Sequence, residues 1–323
     1  MRTYITRAKH GKGFSYQCNG SKVSSSIELD RIASLAIPPA WQEVKISTNP
    51  KSKIQAEGRD DKGRKQYIYH PSHREKQEKA KFDRITSFAS KLPVLRKRVK
   101  KDLARRRFDR RKVCAVAVSL MDETYFRVGN EQYAKENGHF GLTTLRSKHI
   151  NVTGSTVAFD FVGKSGQQQH KEISDQQIAR VIHKLDEMPG YELFRYVDSD
   201  GGIHNLTSTD VNAYIKEIMG DEYTAKDFRT WGGTLMATIE LAKLARPETK
   251  SERKRAMSSA VKRVAKKLGN TPAIARSSYI DPRIFTMFES SDGIAEVYGT
   301  IKDMKKSAHL NSDERCVIKL LSH

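Results

Sequence analysis

The sequence is poor in cysteine, short of acidic residues and without a long apolar run. Its three cysteines, Cys18, Cys114 and Cys316, are odd in number and widely separated, which fits neither a disulfide framework nor a zinc site. No stretch is long enough to span a bilayer, and the N-terminal residues lack the apolar segment of a secretory signal. These absences argue against membrane and secreted proteins, so we expect a soluble protein in a reducing compartment.

The shortage of acidic residues leaves a large positive charge. The 323 residues include 59 Lys and Arg against 38 Asp and Glu, which gives a net charge of +21 and a pI near 9.8. Such a surplus favours a polyanionic partner, and nucleic acid is the commonest one. Ribosomal and histone-like proteins share this trait, so the charge indicates a class of partner and no activity.

The positive charge is concentrated in residues 51–112, which contain 23 Lys or Arg against 8 Asp or Glu. Within this block lies RKRVKKDLARRRFDRRK, at residues 96–112. Leu103 and Phe108 interrupt the run, which predicts a folded helix with one packed face rather than a disordered tail. A solvated helix face would also explain the run, but the charge of the whole chain favours contact with DNA or RNA.

Hydrophobic periodicity predicts an α+β chain of two domains. Residues 1–80 form a β-rich domain of short segments separated by Gly, Asn and Pro, and residues 81–323 form a mainly helical one. In the second domain, VAFDFVG and QQQHKEI predict a β-hairpin over 157–163 and 167–173. The predicted helices are an interrupted one over 82–104 that breaks at Pro93, a buried one over 113–126, and others near 175–187, 209–218, 229–245 and 251–268.

The stretch GRDDKGRKQYIYH, residues 58–70, interleaves cations with two tyrosines. Tyr67 and Tyr69 share one face of a strand, because side chains alternate with a period of two. Aromatic rings beside cations suit contacts to sugar, base or phosphate in a groove. Packing of both rings into a core would explain the same pattern.

The stretch VGKSG, residues 162–166, contains part of a phosphate-binding loop but does not complete one. That motif requires a glycine five residues before Gly163, and position 158 is alanine. The preceding strand also leads into a hairpin rather than a helix, so we exclude nucleotide binding here. What remains is Lys164 at a hairpin tip, either an ordinary solvated lysine or one that reaches a neighbouring groove.

Two arginines occupy positions beside predicted helices. Arg127 directly follows the apolar helix, and Arg229 begins another helix close to Asp227. An arginine at such a position can act on a substrate, or it can form a structural ion pair. The candidate partners for such pairs are Glu131 for Arg127 and Asp227 for Arg229.

Tyr279 ends GNTPAIARSSY, residues 269–279, where it is either a core residue or a nucleophile. Taken in order, Arg127, the hairpin lysine, Arg229 and this tyrosine resemble the catalytic domain of type IB DNA topoisomerases, most closely the compact poxvirus and bacterial group. The resemblance covers nearly the whole chain through IPPAW, GRDDKGRKQYIYH, RVGNEQYAKENGHFGLTTLRSKHI, the FVGK hairpin, KDFRTWGGT and NTPAIARSSYI. Tyrosine recombinases share the catalytic order but lack the N-terminal domain.

The resemblance implies a role for each position. Tyr279 would be the nucleophile that forms a 3′-phosphotyrosyl intermediate. Arg127 and Arg229 would contact the scissile phosphate, and Lys164 would be the general acid for the departing 5′ oxygen. The family's fifth catalytic position is often histidine, and here it is Asn270, whose amide can donate a hydrogen bond but cannot carry positive charge. The implied DNA contacts are Arg64, Lys65, Tyr67, Tyr69, His70, Gln132, Tyr133 and Lys226.

The hypothesis is therefore an isomerase that relaxes supercoiled DNA by transient cleavage of one strand, rotation and religation, without ATP, a cofactor or an obligatory metal. It implies a monomer that clamps double-stranded DNA, has no membrane partner and lies in the cytoplasm, in a bacterial nucleoid or in a virion. One alternative is a tyrosine site-specific recombinase, which would form synaptic oligomers. Another is a basic DNA-binding protein without catalysis, which would form no covalent adduct.

Overall fold

The computed structural model describes residues 3–244, 247–290, 294–295, 298–299 and 309–322. The chain divides into two compact units, Met1–Lys81 and Phe82–His323, whereas the change in hydrophobic periodicity predicts the boundary near residue 80. One unit contains an antiparallel sheet and the other is mainly helical, which confirms the α+β class. None of the helices in these ranges is long and apolar enough to cross a membrane.

The first unit consists of short strands with two helices. The strands are β1 Tyr4–His10, β2 Gly13–Cys18, β3 Ser21–Lys22, β4 Gln42–Ser47, β5 Ile54–Arg59 and β6 Lys65–Tyr69; the helices are α1 Ser26–Ser34 and α2 Pro71–Asp83, which continues two residues past the boundary. The strands form one antiparallel sheet in the order β3-β2-β1-β4-β5-β6. Alternation gives this sheet one apolar face, where Ile5, Val44, Ile46 and Ala56 pack with Ile32 of α1.

The IPPAW segment of the first unit is held by one arginine. The Arg7 guanidinium donates to the carbonyl oxygens of Trp41 at 2.7 Å and Pro38 at 3.1 Å. Trp41 in turn covers Gly58, where a β-carbon would lie 2.9 Å from the indole ring. Glycine is therefore required where GRDDKGRKQYIYH begins, because a larger residue would displace the tryptophan.

The second unit is mainly helical. Its helices are α3 Ile85–Leu103, α4 Arg110–Thr124, α5 Glu131–Asn137, α6 Gln176–Asp186, α7 Ser208–Met219, α8 Ala225–Ala242, α9 Lys250–Leu268, α10 Pro272–Tyr279, α11 Pro282–Ser290 and α12 Ser312–Leu321. Its strands are β7 Ile150–Thr153, β8 Thr156–Val162 and β9 Gln168–Ser174, which form a three-stranded sheet, and the pair β10 Arg195–Val197 and β11 Ile203–Asn205. The predicted hairpin is thus β8 and β9.

The two candidate arginines lie close to the ends of two buried helices. Arg127 follows the C-terminal end of α4, and Arg229 lies near the N-terminal end of α8. Nearly all residues of α4 from Val113 to Met121 are buried, as their unbroken apolar pattern predicts. Helix α8 likewise buries Phe228, Trp231 and Leu235. Because both helices are surrounded by other elements, the residues at their ends have little freedom to move.

Several helical predictions need correction. Helix α3 continues through Pro93, because buried residues on both sides of the proline, such as Leu92 and Leu95, pack into one core and outweigh one lost backbone hydrogen bond. Residues 96–112 are not one helix but the end of α3, a loop and the start of α4. The helix expected over 229–245 begins earlier, at Ala225, and residue 245 lies outside the described residues.

The cations of the basic run 96–112 are largely engaged inside the second unit. Their ion pairs are Arg96 with Asp122 and Glu314, Arg98 with Asp102, Arg105 with Asp109, Arg110 with Asp210, and Arg111 with Glu217. Five arginines of the run thus connect helices and loops of this unit. The nucleic-acid contact expected for the run stays a prediction.

Candidate active site

The C-terminal end of α9 brings the two candidate arginines together. Gly269 ends this helix in the left-handed conformation, with φ of 61°, and the last carbonyl groups of a helix have no helical partners. Arg229 Nη2 donates to the carbonyl oxygen of Leu268 at 2.8 Å, and Arg127 Nη2 donates to that of Gly269 at 3.3 Å. The negative end of the helix dipole favours cations at this position.

Two glycines shape the loop that carries Arg127. Gly129 has φ of +107°, and a β-carbon on Gly141 would lie 2.5 Å from the α-carbon of Gly129. This close approach allows the Leu142 N–H to donate to the carbonyl oxygen of Arg127 at 2.9 Å. The sequence motifs RVGN and GLTT are therefore two halves of one paired loop that fixes the arginine backbone.

Arg229 is the more deeply buried arginine, with only 4% of its surface exposed. Its Nη1 donates at 2.5 Å to the carbonyl oxygen of Tyr125, the residue that ends α4 in the left-handed conformation. Asp227 does not pair with it. That carboxylate accepts a hydrogen bond from Arg84 at 3.0 Å and one from the Thr224 N–H at the start of α8.

Neither Arg127 nor Arg229 forms an ion pair with a carboxylate in the described parts of the chain, so the structural pairs considered for them do not form. Burial lowers the pKa of both guanidinium groups, and the charge of Arg229 lowers that of Arg127 further. A buried cation and a half-buried one without a counter-charge are costly. The arrangement is thus suited to an anion that the protein itself does not supply.

Asn270 adds an amide to the same site. Its Oδ1 accepts a hydrogen bond from Arg127, and its backbone N–H donates to the carbonyl oxygen of Ala265 at 2.9 Å. Its Nδ2 is buried and has no hydrogen-bond partner within the described ranges, and the same is true of Arg229 Nε. Buried donors without acceptors are rare in proteins, and a phosphate oxygen would supply the missing acceptor.

Tyr279 ends α10 beside these cations. Its ring centroid lies 5.0 Å from the guanidinium carbon of Arg229. Burial raises the pKa of the phenol, but the charge and hydrogen bond of Arg229, together with Arg127 and Lys226, bring that pKa below its ordinary value. The phenol is therefore more acidic than that of an ordinary tyrosine, and loss of its proton gives the phenolate, the nucleophilic form.

The backbone of Tyr279 packs directly against α8. A β-carbon on Gly233 would lie 2.4 Å from the carbonyl oxygen of Tyr279, so only glycine allows this approach. The next residue, Thr234, accepts a hydrogen bond from the Asp281 N–H through its Oγ1 at 3.1 Å. The WGGT segment thus holds the backbone of Tyr279 in place through direct packing and a hydrogen bond to the residues that follow it.

Lys164 is carried by the β8–β9 hairpin rather than by the helices and adjoining loops that hold the other four catalytic candidates. It is exposed at the turn between β8 and β9, where Ser165 adopts a left-handed conformation with φ of 61°. In the described chain it forms no hydrogen bond or ion pair with Tyr279, Arg127 or Arg229. The structure therefore assembles two arginines, the asparagine and the tyrosine, and leaves the lysine on a hairpin tip.

The candidate DNA contacts of the second unit lie on α5 and α8. Lys226 is exposed in the first turn of α8 and is near enough for its charge to act on Tyr279. Tyr133 is exposed on α5, and Gln132 donates to Glu136 at 2.8 Å. Asn130 caps α5 by accepting a hydrogen bond from the Tyr133 N–H, which gives it a structural task.

Tyr67 and Tyr69 of β6 do not pack into the core of the first unit. Tyr67 and Tyr69 are 38% and 37% exposed, and their ring centroids are 6.0 Å apart on one face of β6. Lys65 Nζ lies 5.5 Å from the centroid of the Tyr67 ring, while Ile68 between the tyrosines packs into the core. The aromatic and cationic surface expected from GRDDKGRKQYIYH is present.

Arg64 and His70 have local structural contacts. Arg64 forms an ion pair with Asp60 at 2.7 Å, and Asp60 also accepts hydrogen bonds from the backbone of the turn between β5 and β6. His70 Nδ1 lies 2.7 Å from Ser72 Oγ at the start of α2. Both side chains therefore brace the ends of β6, and their contact with DNA stays a prediction.

Sequence reasoning missed the residues that hold the site together. The two adjacent glycines of WGGT inside a buried helix were a usable signal, because glycine in a helix interior needs a packing reason. Lys171 of β9 donates to the carbonyl oxygen of Lys267 at 2.5 Å, and Gln169 packs against Gly269. These contacts join residues about 100 positions apart, and no local pattern indicates them.

The described ranges contain no group of three His, Cys, Asp or Glu side chains that could hold a metal ion. Positive charge at the candidate site comes instead from Arg127 and Arg229, with Lys226 nearby. The chemistry that these residues can support is therefore stabilisation of a phosphate group next to a tyrosine nucleophile.

Comparison with known proteins shows the family to which the chain belongs. Residues 70–308 match the family model described as "Eukaryotic DNA topoisomerase I, catalytic core", and residues 13–60 match "Bacterial DNA topoisomerase IB, N-terminal domain". The chain is 33% identical to DNA topoisomerase 1B of Acanthamoeba polyphaga mimivirus, over 94% of this chain and 95% of that protein. It is 26% identical to DNA topoisomerase 1B of Vaccinia virus (strain Copenhagen), over 76% of each chain. The chain therefore belongs to the type IB DNA topoisomerase family.

Proposed function

We propose that Tyr279 is the residue through which this topoisomerase breaks and rejoins one DNA strand. The phenolic oxygen attacks the phosphorus, the phenolic proton passes to solvent, and the bond to the 5′ oxygen breaks. The products are a 3′-phosphotyrosyl ester and a 5′-hydroxyl. One phosphoester replaces another of similar energy, so religation by the reverse reaction needs no ATP.

Arg127, Arg229 and Asn270 hold the scissile phosphate in this proposal. Attack concentrates charge on the non-bridging oxygens, and preorganised donors aimed at those oxygens supply most of the stabilisation. The observation that carries the proposal is a buried arginine, Arg229, and a half-buried one, Arg127, both without a carboxylate partner in the described chain, beside unpaired donors on Arg229 and Asn270. Asn270 donates from Nδ2 while its Oδ1 orients Arg127.

Lys164 is the general acid in this proposal. Its ammonium donates a proton to the departing 5′ oxygen, which is a poor leaving group without one. Exposure at a hairpin tip suits a residue that meets its partner only when DNA is bound. We infer that the hairpin places Lys164 against the 5′ side of the broken bond.

DNA contacts outside the reaction centre come from both units in this proposal. Tyr67, Tyr69 and Lys65 present rings and charge on the sheet, and Lys226 and Tyr133 do so on the helical unit. We infer that one copy of the chain is sufficient. Relaxation at a rate proportional to enzyme concentration, by a species that sediments as a monomer, would support this; a higher-order dependence would oppose it.

The test of the nucleophile is relaxation of supercoiled plasmid in EDTA and without ATP. The parent protein should relax the plasmid, and Tyr279→Phe should not, because only the phenolic oxygen is lost. Tyr191→Phe, at an exposed tyrosine of the same unit, is the matched control and should retain activity. Equal relaxation by the parent protein and Tyr279→Phe would remove Tyr279 from the mechanism.

The test of the acid is a substrate with sulfur in place of the 5′-bridging oxygen. A thiolate leaves without a proton, so Lys164→Ala should cleave ordinary DNA on the order of 10²-fold or more slowly and the sulfur substrate at nearly the parental rate. Arg229→Ala should be slow on both substrates, because its phosphate contact is needed in either case. Lack of rescue for Lys164→Ala would exclude the acid role.

A further inference from the structure

Three successive carbonyl groups at the end of α9 each accept a hydrogen bond from a different cation. Lys267 O accepts from Lys171 at 2.5 Å, Leu268 O accepts from Arg229 at 2.8 Å, and Gly269 O accepts from Arg127 at 3.3 Å. Two of these cations are the arginines of the active site. The third, Lys171, lies on β9, the strand that returns from the hairpin tip.

The hairpin is joined to α9 at a second point. A β-carbon on Gly269 would lie 2.3 Å from Nε2 of Gln169, and one on Gly163 would lie 3.1 Å from Cγ of the same glutamine. Gln169 is thus buried between the hairpin turn and the end of α9. Because Gln169 and Lys171 are two positions apart on a strand, both face α9 from the same side of β9.

The position of Lys171 is costly for a charged group. Burial, together with the charges of Lys267 and Arg229, lowers the pKa of Lys171 to about 8. The titratable groups around it are Glu123 of α4, Arg229 of α8, Arg263, Lys266 and Lys267 of α9, and His170 and Glu172 of β9. The Lys267 carbonyl and the negative end of the helix dipole offset that cost while the amine is protonated.

We propose that Lys171 is a positioning residue that anchors the hairpin carrying Lys164 to the same helix end that orients Arg127 and Arg229. The end of α9 thereby fixes the position of the general acid on the hairpin relative to the two phosphate-binding arginines. This inference rests on the proposed role of Lys164 as the general acid. It assigns Lys171 no contact with DNA or with the reacting atoms.

The expected consequence is a defect confined to protonation of the leaving group. Lys171→Met keeps the length of the side chain and removes its donor and charge, so the hairpin tip shifts relative to the phosphate. A misplacement of about 1 Å can cost about 10²-fold in rate. We therefore expect single-turnover cleavage of ordinary DNA to fall by about 10- to 100-fold.

The test compares ordinary DNA with the 5′-bridging sulfur substrate. Lys171→Met should cleave the sulfur substrate within about threefold of the parent rate. Added to Lys164→Ala, it should slow ordinary cleavage no further, because the acid that it positions is already absent. Lys266→Met, at an exposed lysine of α9 close to Lys171, is the matched control and should cleave both substrates at the parental rate.

Each outcome separates this inference from the proposal on which it rests. If Lys164→Ala is rescued by sulfur and Lys171→Met is equally slow on both substrates, Lys171 does not act through the hairpin. An unchanged rate for Lys171→Met on ordinary DNA also overturns the inference. Absence of rescue for Lys164→Ala itself overturns the acid role instead. Should Lys171→Met fail to fold, Lys171→Gln retains a polar side chain and is judged by the same comparison.

Discussion

Arg127 donates to two acceptors at once, the carbonyl oxygen of Gly269 and the side chain of Asn270. At the scale of single residues, this contact settles which way the asparagine amide points, because its oxygen is occupied and its nitrogen remains available. A histidine at this position would add charge, whereas the amide adds only a donor. The remaining positive charge must then come from Arg127 and Arg229.

The cleavage rates of Asn270 variants should depend on the hydrogen-bond donors and the charge that each substitution leaves at this position. Asn270→Asp keeps the shape but replaces the Nδ2 donor with a carboxylate that repels phosphate, so single-turnover cleavage should fall by about 10²–10³-fold. The cleavage rate of Asn270→Ala should fall less than that of Asn270→Asp, because alanine adds no negative charge. Asn151→Asp, at an exposed position of β7, should cleave at the parental rate. An Asn270→Asp enzyme as fast as the parent would show that the amide makes no contact with phosphate.

The acidity of Tyr279 gives a pH-dependent signal. Neighbouring cations stabilise the phenolate, so its pKa lies below the ordinary value of about 10. In an ultraviolet titration, subtracting Tyr279→Phe from the parent should leave one tyrosine that ionises below that value. Removing a neighbouring cation should raise the pH at the midpoint of the Tyr279 titration, so Arg229→Gln should shift that midpoint upward. Lys254→Gln, at an exposed position of α9, is the control and should leave it unchanged. A difference curve centred above 10 would contradict the arrangement.

At the scale of elements, the sequence pattern predicts the β8–β9 hairpin and half of the twelve helices named above, because each depends on local periodicity. The predicted helices are α3, α4, α6, α7, α8 and α9, and those not predicted are α1, α2, α5, α10, α11 and α12. It does not predict that α3 continues through Pro93 or that the run 96–112 divides between two helices, since packing in the core decides both. The order of catalytic residues along the chain likewise indicates the site. The convergence of Lys171, Arg229 and Arg127 on the end of α9 depends on contacts between distant segments and has no local signature.

The close packing of α8 against α10 should make Gly233 sensitive to a single methyl group. In Gly233→Ala the added carbon must displace the Tyr279 carbonyl oxygen, which lies 2.4 Å from its position. We expect a loss of about 1–3 kcal/mol in the free energy of unfolding, measured in urea, together with slower cleavage. Gly13→Ala, where the nearest heavy atom is 4.0 Å away, is the control and should match the parent in cleavage. Unaltered stability and cleavage in Gly233→Ala would mean that this contact does not hold the tyrosine.

At the scale of the whole molecule, the net charge of +21 does not reveal which cations meet DNA. Much of the densest basic run forms ion pairs within the second unit, such as Arg105 with Asp109 at 2.5 Å. Other cations, such as Lys226, are exposed and form no ion pair in the described ranges. Composition therefore predicts the class of partner, while the binding surface depends on which charges the fold leaves uncompensated.

Salt dependence distinguishes these two kinds of cation. For duplex DNA, the logarithm of the binding constant falls with the logarithm of salt concentration by about 0.9 for each phosphate contact. Measured by equilibrium binding in a Tyr279→Phe background, Lys226→Gln should reduce that slope by about one contact. Arg105→Gln should leave the slope unchanged, because Asp109 already compensates this arginine. The opposite pattern would indicate that the basic run itself lies on DNA.

The most direct measurement is identification of the residue that becomes joined to DNA. Cleavage of a duplex whose short 5′-hydroxyl fragment dissociates prevents religation and traps the conjugate, which can then be digested and sequenced by mass spectrometry. We predict a single conjugated peptide that contains residues 269–279, with Tyr279 esterified to a 3′ phosphate. Attachment to another residue, attachment through a 5′ phosphate, or relaxation without any conjugate would contradict the assignment of Tyr279 as the nucleophile.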